Sequence, residues 1–332
     1  MLTVGLIGAG RIGRVHASTI VQDEGSQLVA VADSVDENAK NLAKLYKVNP
    51  RSVDAIFEDN SIEAILIASS TDTHSDFIEK ASKAGKAILC EKPVDLSLAR
   101  AKRCLENTKS NEHSIMMGFN RRFDPNFVAL KNALDGGEIG TAELLSITSF
   151  DPAPPPIDYV KVSGGIFKDM MIHDFDMANF LYGELPKSIF VAASAIVDKK
   201  IGALGDYDTA VATLKYTDGR LAVIKNSRRA TYGYDQRIEV LGSKGLLQVQ
   251  NMVENSMVKS TEMGVESSKP EYFFLERYKS AYQNEWTAFV TAVKTKTPMP
   301  VSLSDGIAAL AIAEAAAASA ETGSEVAIAN FL

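Results

Sequence analysis

Apolar positions along the first third of the chain come in short runs, each followed by a polar stretch with helical spacing. Residues 4–7, 28–32, 64–68, 87–89 and 115–118 have the length and composition of strands. Between them, a stretch from about Ile12 and the segments 38–46, 77–84 and 98–109 have helical spacing. Continuous apolar strands alternating with helices predict a doubly wound parallel sheet covered on both faces.

The pattern changes after about residue 120. The Pro-rich segment 151–156 excludes regular helix and interior strand. A largely apolar helix is expected over 167–181, then strands over 188–197, 209–216, 221–226, 236–241 and 245–249. Turns such as Thr217-Asp218-Gly219 and Gly242-Ser243-Lys244-Gly245 separate several of them, which predicts an antiparallel sheet. Two helices close the chain, one around Trp286 and one in the Ala-rich run after Ser304-Asp305, a pair that resembles a capped start. The expected division is 1–120 and 121–332, the second part an α+β domain.

Composition narrows the classes of function. A chain of 332 residues is long enough for two ordinary cores. A net charge of -7 disfavours nonspecific binding to nucleic acid or to an anionic membrane. Cys90 and Cys104 make neither a disulfide framework nor a metal cluster, so a reducing cytoplasm is expected. No basic segment with a long apolar core precedes the first glycine turn, and no secretory signal is expected. The apolar runs break before membrane-spanning length.

Gly8-Ala9-Gly10-Arg11-Ile12-Gly13 follows the first strand and opens a helix, and Asp33 ends the second strand twenty residues after Gly13. In such a turn Gly8 permits the tight bend, Gly10 lets backbone approach a pyrophosphate, and Gly13 allows close helix–strand packing. The helix start offers N–H groups to phosphates. A carboxylate at Asp33 suits both ribose hydroxyls and would repel a 2′-phosphate, and residues 34–39 hold no Lys or Arg to attract one. NAD is therefore expected over NADP. Ser34, Ser69, Ser70, His74, Glu91, Lys92 and Arg121 join the glycine turn as candidate cofactor contacts.

Two segments bear on the reaction. Glu91-Lys92-Pro93 follows a predicted strand whose carboxyl end faces the ligand crevice of such a sheet, so Lys92 is expected to point there. In the predicted helix, Asp169, His173 and Asp176 fall within roughly 60° of one another at 100° per residue. Buried carboxylates beside an imidazole are costly unless paired or facing a polar ligand. An exposed structural histidine and a metal ligand are both compatible with this spacing, although only four histidines exist and no HExxH pair occurs. Beside a dinucleotide site, a general base oriented by a carboxylate accounts for the arrangement better.

Taken together, the glycine turn, Glu91-Lys92-Pro93 and Asp169-x-x-x-His173 resemble the Gfo/Idh/MocA family of sugar dehydrogenases over nearly the whole chain. The resemblance sharpens toward the bacterial inositol 2-dehydrogenases in Gly118-Phe119-Asn120-Arg121-Arg122-Phe123-Asp124, Ser163-Gly164-Gly165-Ile166-Phe167 and Asn226-Ser227-Arg228-Arg229-Ala230-Thr231-Tyr232-Gly233-Tyr234-Asp235. It implies an N-terminal Rossmann domain, a C-terminal domain with a large open sheet that often mediates a tetramer, and a catalytic set of Lys92, Asp169 and His173. It also implies NAD-dependent oxidation of a polyol such as myo-inositol to the 2-keto product, with no metal. Arg122, Asp151, Asp176, Tyr232 and Tyr234 are candidates for the remaining hydroxyls. Salt bridges for the arginines and core packing for the tyrosines are the alternative roles.

Overall fold

The apolar run β1 (Leu2–Ile7) becomes the inner strand of a six-stranded parallel sheet. All 332 residues are described by this computed structural model. In chain order the first elements are β1, α1 (Arg11–Gln22), β2 (Ser26–Ala32), α2 (Asp36–Tyr46), β3 (Asn49–Pro50), α3 (Val53–Glu58), β4 (Ala64–Ile67), α4 (His74–Lys83), β5 (Ala87–Glu91), α5 (Leu98–Thr108) and β6 (Ile115–Gly118). The strand order is β3-β2-β1-β4-β5-β6. Val4, Leu6, Ile65, Leu66, Ile88 and Leu89 are fully buried, as both-sided coverage of a parallel sheet requires. The order reverses between β1 and β4, so the loops that follow these two strands flank a topological switch point.

The elements that follow are α6 (Pro125–Asp135), β7 (Ala142–Phe150), α7 (Ile157–Val160), a π-helical turn (Phe167–Met171) that runs into α8 (Ile172–Tyr182), β8 (Ser188–Ser194), α9 (Lys199–Ala203), β9 (Thr209–Lys215), β10 (Leu221–Ser227), β11 (Asp235–Gly242) and β12 (Gly245–Val249). A small hairpin, β13 (Val258–Thr261) with β14 (Gly264–Ser267), precedes α10 (Phe274–Arg277), α11 (Lys279–Thr295), α12 (Leu303–Thr322) and β15 (Val326–Ala327). The second sheet has seven strands in the order β12-β11-β7-β10-β9-β8-β15. Every pairing in it is antiparallel except β7 with β10.

Two elements here escape the hydrophobic pattern. β7 buries Ser149 on the face that carries Leu145 and Ile147, so a polar residue sits where alternation calls for an apolar one. α6 opens on Asp124, whose side chain accepts N–H bonds from Asn126 and Phe127, with Pro125 just inside the helix. The strand expected over 188–197 ends at Ser194 because the N–H groups of Ile196, Val197 and Asp198 all turn onto the Asp208 carboxylate. The last long helix is capped by Ser302 rather than Ser304. The Ser302 N–H reaches Asp305 Oδ2 at 2.8 Å and the Asp305 N–H reaches Ser302 Oγ at 3.0 Å, a reciprocal cap. By length and composition α12 could cross a membrane, but 61% of its apolar window is buried inside the protein, as in a core helix.

The chain forms two compact units. Met1–Phe123 with Ser280–Leu310 makes the first, and Asp124–Lys279 with Ala311–Leu332 the second. The segment 280–310, which carries α11, thus belongs with the parallel sheet, and its Trp286 indole donates to Ser26 Oγ of β2 at 2.9 Å.

Candidate active site

In the first unit the glycine turn closes on the sheet. Gly8 has φ +102°, and a Cβ there would lie 2.3 Å from the Ala68 carbonyl oxygen beyond β4. A Cβ on Gly13 would lie 1.9 Å from the Gly8 carbonyl oxygen, so only glycine lets α1 pack this close to the turn. Around Gly10 the situation is the opposite, since a Cβ would meet nothing within 4 Å. Gly10 is also the N-cap of α1, which has no side-chain cap. An uncapped helix start facing open space at the switch point is a cradle for an anionic group. The Asp33 carboxylate shapes it by accepting the Ala9 N–H at 2.6 Å and the Val35 N–H at 2.8 Å. These residues fit the pyrophosphate and ribose of a dinucleotide. Arg11, Ser34 and Ser70 lie exposed around the turn, while Ile12 and Ser69 are half-buried.

Of the other residues expected at the cofactor, His74 and Glu91 bond within the protein. His74 is fully buried, with Nδ1 2.8 Å from the Pro93 carbonyl oxygen and Nε2 3.1 Å from that of Ser69. Burial lowers the pKa of this ring, and the ring pins α4 between two loops instead of presenting a nitrogen to a ligand. Glu91 turns its carboxylate away from the turn to His16 of α1, at 2.7 Å. Lys92 is half-buried directly after β5, ahead of a cis Lys92–Pro93 peptide. Arg121 is buried, and Arg122 forms an ion pair with Asp305 at 3.3 Å, in line with the alternative role given to the arginines.

In the second unit Asp169 lies within the π-helical turn and His173 one turn later in α8. Single π turns recur at functional sites because they re-aim side chains within a helix. The Asp169 carboxylate accepts the Tyr159 hydroxyl at 2.7 Å on one oxygen and both terminal nitrogens of Arg228 at 3.2 Å on the other. Arg228, at 1% exposure, is among the largest fully buried side chains of the protein. Neither Tyr159 nor Arg228 stands out by spacing, because Arg228 meets its carboxylate across 59 residues. α8 is fixed to the sheet by the buried Asp174, which accepts Ser149 Oγ at 2.6 Å and Asn226 Nδ2 at 2.8 Å.

The residues suggested for the substrate's other hydroxyls fare unevenly. Asp151 directly follows β7, its backbone tied to Ser227 and Ala230. Asp176 is buried on α8. Tyr234 is a core residue, buried and set edge-on to Tyr278 at 6.0 Å, so packing is what its ring does here. Tyr232 stays exposed and donates to Asp235; partial burial and that carboxylate push its hydroxyl up to about 12.

Comparison with known proteins supplies the family. Residues 2–119 match the family model described as the oxidoreductase family, NAD-binding Rossmann fold. Residues 127–248 match the GFO/IDH/MocA C-terminal domain. The chain belongs to the GFO/IDH/MocA oxidoreductases. It is 47% identical to an inositol 2-dehydrogenase of Rhizobium meliloti, over 98% of each chain. It is 46% identical to a myo-inositol 2-dehydrogenase of Thermotoga maritima, over 93% of each. The crystal structure of a myo-inositol dehydrogenase from Corynebacterium glutamicum superposes with a TM-score of 0.95 at 40% identity, covering 98% of both chains. The GFO/IDH/MocA member described here is accordingly an NAD-dependent oxidoreductase, and the cradle at Gly10 and Asp33 lies within its NAD-binding Rossmann match.

Proposed function

We propose that the protein oxidises myo-inositol to its 2-keto product, with His173 as general base, Lys92 as the donor to the reacting oxygen and Asp169 as the carboxylate that orients the base. The observation that carries this reading is the anchored Asp169 one helical turn before His173. Arg228 and Tyr159 hold that carboxylate, so its charge is fixed one helical turn before the imidazole and can support the positive charge that forms there. When bound, NAD⁺ supplies the hydride acceptor. His173 takes the hydroxyl proton as the C–H electron pair leaves the same carbon, and a C=O bond forms. Lys92 donates a hydrogen bond to that oxygen while negative charge develops on it. Ring polyols suit the polar side chains of the second unit, and the relatives named for inositol substrates support that choice over other polyols.

The same reading extends to assembly and location. Leu221, Leu144, Leu241 and Leu246 are register partners across β10, β7, β11 and β12, and each is exposed by 37–47%. A row of exposed leucines on an open sheet supports a homotetramer, which light scattering would detect. Two free buried thiols fit a cytoplasmic location.

The test is NADH formation with NAD⁺ and a panel of myo-inositol, scyllo-inositol and glucose, with NADP⁺ as a parallel arm. Turnover with myo-inositol and NAD⁺ is expected, and H173A should reduce it by about 100-fold or more. Undiminished turnover in a folded H173A protein would overturn the base assignment. Turnover restricted to another polyol would overturn the substrate, and binding of NAD⁺ without turnover across the panel would point to a dinucleotide sensor.

A further inference from the structure

Beneath the dinucleotide cradle lies a group of titratable side chains that the chemistry above does not use. Glu285 of α11 is completely buried, and neither carboxyl oxygen has a hydrogen-bond partner. Buried polar atoms are nearly always paired, so an orphaned carboxyl in an interior calls for a reason. Its surroundings supply one. Three residues earlier on the same helix, Tyr282 meets the His16 ring edge-on at 5.3 Å. His16 in turn holds Glu91 at 2.7 Å, and Glu91 is bonded to Lys92. Glu91 on β5 is thus the charge that reaches Glu285, and His16 on α1, packed against Tyr282 one helical turn before Glu285, is the partner of Glu91.

We propose that Glu285 is a positioning residue, a neutral carboxylic acid that backs the Glu91–His16 pair and through it fixes the segment carrying Lys92. A fully enclosed carboxyl without a partner does not ionise readily near a second, partly exposed carboxylate. Glu91 has the imidazole, so Glu285 keeps its proton. Burial, and behind it the charge of Glu91, push the Glu285 carboxyl well above the usual carboxylate range. Its O–H dipole lies in the field of the Glu91 carboxylate, an attraction that low dielectric strengthens. An aliphatic side chain of similar size fills the same space without that dipole. The helix is held in place for this purpose by the Trp286 indole, bonded to Ser26.

The inference rests on the reading of Lys92 as the group that meets the reacting oxygen, and the test separates the two. E285L removes an unsatisfied polar group and should melt at or above the wild-type temperature. Its kcat should nevertheless fall between about tenfold and 100-fold, the cost of a misplaced catalytic group, with little change in KM. E285Q, neutral and polar, should recover most of that loss. Infrared difference spectra of wild type against E285Q should show a protonated-carboxyl C=O band at neutral pH. Wild-type kcat in E285L, equal losses in E285L and E285Q, or absence of the band would each overturn the proposal. A K92A protein run alongside that turns over normally would instead defeat the reading of Lys92, while the infrared band would still report on the protonation of Glu285.

Discussion

Replacing Arg228 with methionine separates what holds Asp169 from what the carboxylate does. Methionine keeps most of the apolar stem and removes the charge. Arg228 is 1% exposed and the Asp169 side chain 13%, so the pair is effectively buried. Breaking a buried pair by removing one partner costs about 3–5 kcal/mol, chiefly because the other charge is left uncompensated. Both Arg228 nitrogens converge on one oxygen at 3.2 Å, and the guanidinium Nε has no partner. That geometry, with Tyr159 still bonded to the other oxygen, places R228M near the lower end, at about 3 kcal/mol. Urea unfolding followed by circular dichroism gives the cost directly. In D169N/R228M no charge is stranded, so the double variant should be more stable than R228M alone, with a coupling energy of about 2 kcal/mol. Catalysis should not recover with stability, because the double variant lacks the carboxylate proposed to orient His173. An R228M cost under about 1 kcal/mol, the range of exposed pairs, would refute the reasoning.

G13A should fold poorly or bind NAD⁺ weakly. Its Cβ would lie 1.9 Å from a backbone oxygen that no side-chain rotation can move, and overpacking of this kind costs about 1–3 kcal/mol; calorimetric NAD⁺ affinity at the wild-type value would contradict the close packing. Asp235 gives an acid-side prediction. Burial raises its pKa, but bonds from Arg237, Tyr232 and Asn251 together outweigh burial and hold it below the usual value. A depressed folded pKa contributes stability that is present above the unfolded value of about 3.9 and is lost as pH falls through the folded one. D235N should therefore be less stable than wild type at neutral pH, and the gap should narrow below about pH 4; a gap that does not change with pH would contradict it. Glu285 has the opposite sign. Its raised pKa makes the folded state bind the extra proton, so stability falls as pH rises above about 4.3, and E285Q should gain on wild type as pH rises further.

The first unit's parallel sheet was legible because its strands are buried on both sides and read as unbroken apolar runs. The glycine turn was legible for a related reason, since each glycine answers a separate steric demand. Gly8 needs a positive φ and Gly13 needs contact with a carbonyl oxygen. Parts of the second sheet were harder to see. β7 carries Ser149 on the face of Leu145 and Ile147, where it serves the buried Asp174, so a polar residue stands among the apolar ones of an interior strand. The return of 280–310 to the first unit leaves no local mark, because it depends on contacts such as Trp286 with Ser26, 260 residues apart.

The candidate site divides along the same line. Asp169 and His173 show in the sequence because helical spacing is a local property. The groups that set them are not local. Arg228 comes from the end of β10 and Tyr159 from α7, and each is one of many such residues until the fold brings it to Asp169. His74 is ambiguous in the sequence, a cofactor contact or the start of the next helix, for the complementary reason. A histidine after a strand end faces a ligand or the protein according to burial, which spacing does not report, and here both ring nitrogens face backbone carbonyls. Chemistry-bearing residues are therefore visible in the chain while their supports are not, and substitutions at those supports test the mechanism most directly. R228M and E285L remove no group assigned to the reacting atoms. If both lower kcat while the proteins stay folded, the rate depends on how Asp169 and Lys92 are held; if neither does, the chemistry resides in the three half-buried groups alone.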